Sequence, residues 1–331
     1  MLVFLARRLV ALVLILLTMT FIVFCLQRVV PTDPVRALAG PNAPVEVVDR
    51  MREEMGLNDP LPVQYGRFVA GLVEGDLGTS VRTRKPIAED LARYAPASIE
   101  LMIWALILGV AAGSLVAVVQ SLRRRTDGLR LLLMAAGSLP IFLTALLLTL
   151  IFWFDLGWLP GAGRLSIRGF DAGPTGLLVL DGLIQGRLDV VGNAIAHLIL
   201  PATALALPIA VAVARSLHGS LVAVLRQPYI RTARGNGLTE RRVILRHGVR
   251  NAAAAPLAMV GLQIGLLFAN LLIVERIFAW PGLGLYTVQA FDSSDLPAVL
   301  GVAVVFGAFY VIVNIVVDVL QSWADPRVRL G

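Results

Sequence analysis

The chain has 331 residues, of which 57% are hydrophobic and 15% charged, and its mean hydropathy is +0.80. A soluble core of this size could not enclose so much apolar surface, so lipid must cover part of it and a soluble globular protein is excluded. In a soluble protein the net charge of +7 would suggest nucleic acid as a partner; here the arginines follow a membrane topology, described below, and no nucleic-acid partner is expected.

Six apolar segments are each long enough to cross a bilayer as a helix, which takes about 20 residues. They cover residues 9–26, 101–119, 131–154, 194–214, 252–274 and 296–317, and none contains Asp, Glu, Lys or Arg. Continuous apolar runs favour helices over barrel strands, whose residues would alternate in character. The predicted fold class is an all-α membrane protein with six transmembrane helices.

The first apolar segment follows Arg7 and Arg8, as the core of a secretory signal peptide would, and residues 37–39 resemble a cleavage site. Charged residues and prolines separate that tripeptide from the apolar run, which is also longer than a usual signal core. We therefore expect the segment to be retained as an N-terminal transmembrane helix.

Charge in the connections predicts the orientation, because Arg and Lys favour the cytoplasmic side. Residues 27–100 carry 9 basic and 11 acidic side chains, whereas residues 215–251 carry 8 basic and 1 acidic. The same alternation holds for the other connections. Both termini of this multi-pass membrane protein are therefore predicted to lie in the cytoplasm.

The connections on the outer side are predicted to add little independent structure. Residues 27–100 are long but contain few residues for a core of their own, so we expect short helices lying over the bundle. The apolar run 177–180 in the third connection is too short to cross a membrane.

Several residues within or next to the spans suggest packing roles. Gly109 and Gly113 predict a close helix contact, since small residues let membrane helices approach one another. Glu275, just beyond the fifth span, is interpreted as an interfacial anchor. Three polar residues within the spans are expected to form hydrogen bonds between helices rather than to line a transport path. These residues are Gln263, Asn270 and Asn314.

The cytoplasmic connection between the fourth and fifth spans reads as ordered structure. Pro228 suits the first position of a short helix over 229–234. Gly235 and Gly237 are predicted to stop it in the left-handed conformation, and Thr239 is predicted to be the N-cap of a second helix that runs toward the fifth span. The pattern alone leaves two interpretations open: a rigid lever that a cytosolic partner pushes, or an interfacial helix whose arginines bind lipid headgroups.

Six stretches resemble one protein family. Residues 229–238 (YIRTARGNGL) and 241–251 (RRVILRHGVRN) resemble the cytoplasmic loop of binding-protein-dependent ABC importer permeases of the dipeptide, oligopeptide and nickel transport family. Residues 55–65 and 75–80 resemble the outer segment of the permease type with a long first periplasmic loop. The turn 278–284 (FAWPGLG) and the tail segment 325–327 are also similar to that family.

The resemblance implies a type I ABC importer permease-like bundle. It implies an N-terminal transmembrane helix (1–30), a periplasmic segment (31–96), a five-helix core (97–322) with a coupling loop (215–251), and a cytoplasmic tail (323–331). The implied partners are a homologous second permease subunit, as in a heterodimer, two ATP-binding subunits and a periplasmic or lipoprotein substrate-binding protein. ATP and Mg would be bound by those ATPase subunits, and no cofactor is expected in this chain.

In that family a lever helix docks on each ATPase through a Glu-Ala-Ala pattern followed by a glycine. The resemblance places Arg231, Thr232 and Ala233 at the three positions and Gly237 at the glycine, so the acidic first residue is absent here. The residues implied in coupling to the ATPase are Tyr229, Arg231, Thr232, Ala233, Arg234 and Gly237.

The expected function is to form half of a transport path for di- or oligopeptides, with nickel, glutathione or another small solute as alternatives. An enzyme is disfavoured, since the sequence contains no phosphate-binding Gly-x-x-x-x-Gly-Lys loop and no metal-binding His-Glu-x-x-His pattern. A secondary transporter or channel is the more distant alternative, because proton or sodium coupling usually requires buried ionisable residues, and all six spans lack carboxylates.

Overall fold

A computed structural model of the chain describes residues 2–29, 35, 43–54, 56–122 and 127–324. Within these ranges the regular structure is helical, apart from one isolated bridge between Thr79 and Pro86. The helices are α1 (Leu2–Val29), α2 (Val45–Glu54), α3 (Leu61–Glu74), α4 (Ile87–Leu122), α5 (Asp127–Ser138), α6 (Ile141–Leu148), α7 (Leu178–Ile184), α8 (Leu188–Leu225), α9 (Pro228–Gly235), α10 (Glu240–Arg242), α11 (Val249–Ala252), α12 (Ala254–Ile277), α13 (Leu283–Asp292) and α14 (Leu296–Ala324). Two π-helical stretches, Thr149–Asp155 and Val243–Gly248, continue α6 and join α10 to α11.

Apolar helices occupy all six predicted span positions in the described part of the chain. Helices α4, α8, α12 and α14 are long and apolar enough to cross a membrane, and shorter apolar helices cover Val10–Ile22 and Ile141–Asp155. The predicted all-α class is confirmed. Helix α8 is the central one, because 61% of its most apolar window is buried within the protein, against 33% for α4, α12 and α14.

The third predicted span differs from expectation, because it is two helices rather than one. Helix α5 ends at Ser138 and α6 begins at Ile141. Pro140 separates them, with an extended backbone (φ −55°, ψ 140°). Proline lacks an amide hydrogen and disfavours helical geometry in the residue before it, so it ends one helix and opens the next.

Close packing of α4 against α8 confirms the role predicted for two glycines. A Cβ added to Gly113 would lie 2.6 Å from the carbonyl oxygen of Ala210, and one added to Gly109 would lie 2.9 Å from that of Ala206. Only glycine permits the two backbones to approach this closely. Helix α8 then presents its other side to α12, where the Gln263 amide donates to the Pro208 carbonyl oxygen (3.2 Å), as expected for interhelical bonding. Asn314 instead donates to Tyr310 of its own helix (2.8 Å).

Candidate functional site

The cytoplasmic loop forms the short helix that its sequence predicts. Helix α9 opens with Pro228, and the preceding Gln227 is extended (φ −69°, ψ 148°). Ile230 is fully buried, whereas Tyr229 on the same helix is 44% exposed. The helix is therefore fixed to the bundle through one apolar side chain and presents its remaining surface outward.

Gly237 ends α9 in the left-handed conformation, with φ +81°. Its amide donates to the carbonyl of Arg234 (3.0 Å), and the amide of Leu238 donates to that of Ala233 (3.3 Å). These two bonds form the Schellman motif, which satisfies carbonyls that a helix end otherwise leaves free. Gly235 was predicted to share this role, and that part of the prediction is wrong: it is the last residue of α9 and has no positive φ.

An ion pair closes the turn between α9 and α10. The guanidinium of Arg234 donates to both carboxylate oxygens of Glu240, from Nε at 3.0 Å and from Nη2 at 2.6 Å. Hydrogen bonding to Arg234 lowers the pKa of Glu240, and the same bond raises the pKa of Arg234. Both side chains are exposed, so this two-bond ion pair contributes little free energy and mainly fixes the geometry of the turn.

The segment after the turn leads to the fifth span without an irregular loop. Thr239 lies at the N-cap position of α10, as predicted, although its side chain makes no capping hydrogen bond. Val243 and Ile244 are fully buried and start the π-helical stretch, which packs against α8 and α9. Helix α11 follows directly, and α12 begins one residue later. These elements therefore form a helical and packed series that leads from α9 to α12.

The predicted coupling residues all lie on α9 and its cap. Five of them are exposed and Ala233 is half-buried; the exposed five are Tyr229, Arg231, Thr232, Arg234 and Gly237. Beside them is a groove of about 340 Å³, lined by Thr239, Leu245 and three arginines. The arginines of the groove are Arg241, Arg242 and Arg246. The loop therefore offers a well-ordered, strongly basic surface.

At the opposite end of α12 lies a buried carboxylate whose role the sequence interpretation missed. Glu275 is fully buried, so its interpretation as an interfacial anchor is wrong. Its Oε1 accepts a hydrogen bond from the Ser98 hydroxyl (2.5 Å) and its Oε2 accepts one from the Leu285 amide (3.0 Å). A buried carboxylate is tolerated only when hydrogen bonds replace its hydration, and these bonds join α12 to α4 and α13.

The turn 278–284 is shaped around this carboxylate. A Cβ on Gly282 would overlap the Glu275 carboxylate, and one on Gly284 would lie 2.9 Å from the Cα of Leu272. Trp280 is buried in the same turn and its indole donates to the carbonyl of Ala97 (2.9 Å). The FAWPGLG pattern was the available signal for this cluster, because its glycines mark a close approach that a side chain would prevent.

A buried ion pair fixes the third connection to α4. Arg164 and Glu100 are only 12% and 3% exposed, and their side chains meet at 2.5 Å. The other oxygen of Glu100 accepts from the Val179 amide (2.8 Å) at the start of α7. Arg164 also lies over the ring of Trp280, 5.6 Å from its centroid.

A third contact ties the first outer connection to α14. Asp295 is fully buried and caps α14, because it accepts from the Ala298 amide (3.3 Å). It also accepts from the Ser80 hydroxyl and the Arg82 amide. The first, third and fifth connections thus meet at one end of the bundle, the side that the charge pattern predicts to be periplasmic.

Comparison with known proteins identifies the family. Residues 107–330 match the family described as binding-protein-dependent transport system inner membrane component, and residues 1–99 match the N-terminal region of the same kind of component. The chain belongs to this family. It is a multi-pass permease of the bacterial inner membrane and a member of the ABC importer permeases.

Relatives of this permease align over nearly its whole length. It is 38% identical to the dipeptide transport system permease protein DppB of Alkalihalophilus pseudofirmus, over 99% of this chain and 100% of the relative. It is 39% identical to the probable D,D-dipeptide transport system permease protein DdpB of Escherichia coli, over 99% and 97%. It is 36% identical to the glutathione transport system permease protein GsiC of Salmonella paratyphi A, over 99% of both.

Proposed function

We propose that this permease forms half of the path by which an ATP-driven importer carries di- or oligopeptides delivered by a substrate-binding protein. The substrate is supported by relatives named for dipeptide, D,D-dipeptide and di/tripeptide transport, which are 36–39% identical to it. Other relatives are named for glutathione transport, so glutathione is the second candidate substrate.

The observation that carries the proposed mechanism is the continuous helical route from the coupling loop to the outer face. Helix α9 is capped at Gly237 and packs on the Val243–Gly248 stretch, which leads through α11 into α12. Helix α12 has 24 residues, so it spans about 36 Å. At its far end Glu275 is bonded to α4 and α13. A displacement applied at α9 therefore reaches the outer turn.

In this proposal α9 is the surface that the ATPase subunits move. The residues that contact the ATPase are Tyr229, Arg231, Thr232 and Ala233. The ion pair of Arg234 with Glu240 and the glycine cap hold the helix at a fixed angle. ATP and Mg are bound and hydrolysed in those partner subunits. A homologous second permease completes the path, and the binding protein docks on the outer side.

Reconstitution tests the proposal. The permease is placed in proteoliposomes with its second permease and ATPase subunits and the binding protein, and uptake of a labelled dipeptide is measured with and without ATP. Uptake that requires ATP and every subunit supports the proposal, and competition by unlabelled glutathione measures the preference between the two substrates. Uptake by this chain alone under an ion gradient would overturn it.

A further inference from the structure

A cavity of about 220 Å³ lies where α4, α5 and α8 meet, away from the coupling helix. One part of its wall is apolar and is formed by Met134, Val211 and Ala214. The other part is polar and is formed by three side chains, those of Gln120, Arg215 and His218. No acidic residue is among the described residues that line it, so the cavity has the character of an anion site with an apolar side.

The polar groups of the cavity are available for a ligand. Arg215 is exposed and makes no hydrogen bond or ion pair with another residue that the structure describes. The Ser121 hydroxyl donates its hydrogen to the Ala117 carbonyl (2.9 Å), so its 3.5 Å contact with Nδ1 of His218 uses the imidazole N–H as donor. This leaves Nε2 of His218 and the guanidinium of Arg215 without a protein partner in the described part of the chain.

The depth of the cavity matches the inner membrane surface. Gln120 is the first residue after the second apolar segment (101–119), and Arg215 is the first after the fourth (194–214). Both spans thus end at the cavity, on the side whose connections are basic. The ends of the apolar segments and the loop charges therefore predict that the polar half of the cavity is level with the lipid headgroups and its apolar half with the first acyl carbons.

We propose that this cavity binds the phosphate headgroup of an anionic phospholipid of the inner leaflet. The Arg215 guanidinium donates to the phosphate oxygens, with the Gln120 amide beside it. The acyl chain leaves along Val211 and Met134. Such a lipid joins the inner ends of α4, α5 and α8, which also contact one another there.

Lipid binding is measured by native mass spectrometry of the purified importer complex, titrated with phosphatidylglycerol, phosphatidylcholine or inorganic phosphate. The proposal predicts that Arg215→Gln weakens retention of phosphatidylglycerol about fivefold, the effect of one arginine near a membrane surface. Arg215→Lys, which keeps the charge, should retain most of the affinity. The matched control is Arg226→Gln, an exposed arginine at the end of the same helix that does not line the cavity.

Three outcomes overturn the proposal. Equal losses in Arg215→Gln and Arg226→Gln mean that lipid is held by diffuse charge alone. Equal retention of phosphatidylcholine, or displacement of phosphatidylglycerol by inorganic phosphate at similar concentration, means that the site does not recognise an anionic headgroup with its chain. A native-like melting temperature of Arg215→Gln, measured in parallel, ensures that a loss of binding is not a loss of fold.

Discussion

Substitution of Gly237 isolates the cap of the coupling helix. The backbone of Gly237 has φ +81°, and a non-glycine residue in this left-handed region is strained by about 1–2 kcal/mol. No atom lies within 4 Å of a Cβ built there, so the Cβ adds no clash to the backbone strain. A penalty of about 1.4 kcal/mol reduces the capped population tenfold. Gly237→Val should approach or exceed this figure, because β-branched residues are the least tolerant of positive φ, whereas Gly237→Asn should cost less.

The control for this prediction is two residues away. Gly235 is helical, and a Cβ there would also meet no atom within 4 Å. Gly235→Ala should therefore leave the loop unchanged or stabilise α9 by about 0.5–1 kcal/mol. The two positions differ in backbone conformation, while a Cβ would meet no atom within 4 Å at either of them, so Gly235 is the matched control position.

The assay is ATP-driven uptake together with ATP hydrolysis in proteoliposomes, after protease accessibility has shown normal membrane insertion. Gly237→Val should lower the uptake per ATP hydrolysed, Gly237→Asn should lie between it and the unsubstituted protein, and Gly235→Ala should behave as the unsubstituted protein. Normal uptake and hydrolysis in Gly237→Val, or equal damage from Gly235→Ala, would refute the reasoning.

Three other predictions concern buried or paired carboxylates. Glu275→Gln leaves one acceptor oxygen for two donors, the Ser98 hydroxyl and the Leu285 amide, and should destabilise the protein by about 1–3 kcal/mol. The measurement is the melting temperature in detergent, which should fall; an unchanged melting temperature would contradict the hydrogen-bonded cluster. Arg164→Gln leaves the buried Glu100 carboxylate without its cation and should lower the free energy of unfolding by about 3–5 kcal/mol. The double variant with Glu100→Gln should recover part of this loss. Strictly additive shifts in melting temperature would show that the two residues do not interact. The pKa of Glu240 is lowered by Arg234, so their pair stabilises the loop above the pKa of an unfolded Glu and loses this effect as the pH falls through the lowered pKa. Since both side chains are exposed, the loss should stay within about 0.5 kcal/mol and be absent in Glu240→Gln, as hydrogen exchange of the loop amides would show.

The fold class was predictable because lipid imposes a length and a composition on every span. Hydropathy and loop charge therefore located all six apolar helices, including the short α6. The break at Pro140 was not predicted, since hydropathy does not distinguish one helix from two that share an apolar run. The start of α4 at Ile87, well before its apolar segment, was also missed. Hydropathy marks only the apolar part of a helix, whereas the helix continues beyond the membrane wherever its outer turns pack on other elements.

The coupling loop was predictable in type but not at single-residue precision. Either Gly235 or Gly237 fits a left-handed stop, and the choice depends on where the buried Ile230 and the Schellman hydrogen bonds place the last turn. The FAWPGLG turn marked the position of the Glu275 cluster, but the partner of Glu275 could not be assigned from the sequence, because Ser98 and Glu275 are 177 positions apart. Pairing over that distance is set by the tertiary fold, and the local pattern around Glu275 suited an exposed residue equally well.

The two ends of α12 are held in different ways, and this decides how the helix moves. Its inner end continues into a packed helical segment whose exposed surface is basic, so a partner can displace it as a unit. Its outer end is fixed by hydrogen bonds of Glu275 that require close backbone approach at Gly282 and Gly284. Under the proposed coupling to the ATPase, a helix constrained in this way would tilt about its outer end or carry α13 with it. The predicted result of a displacement at the inner end is a change in the angle between α12 and α8, the central helix of the bundle.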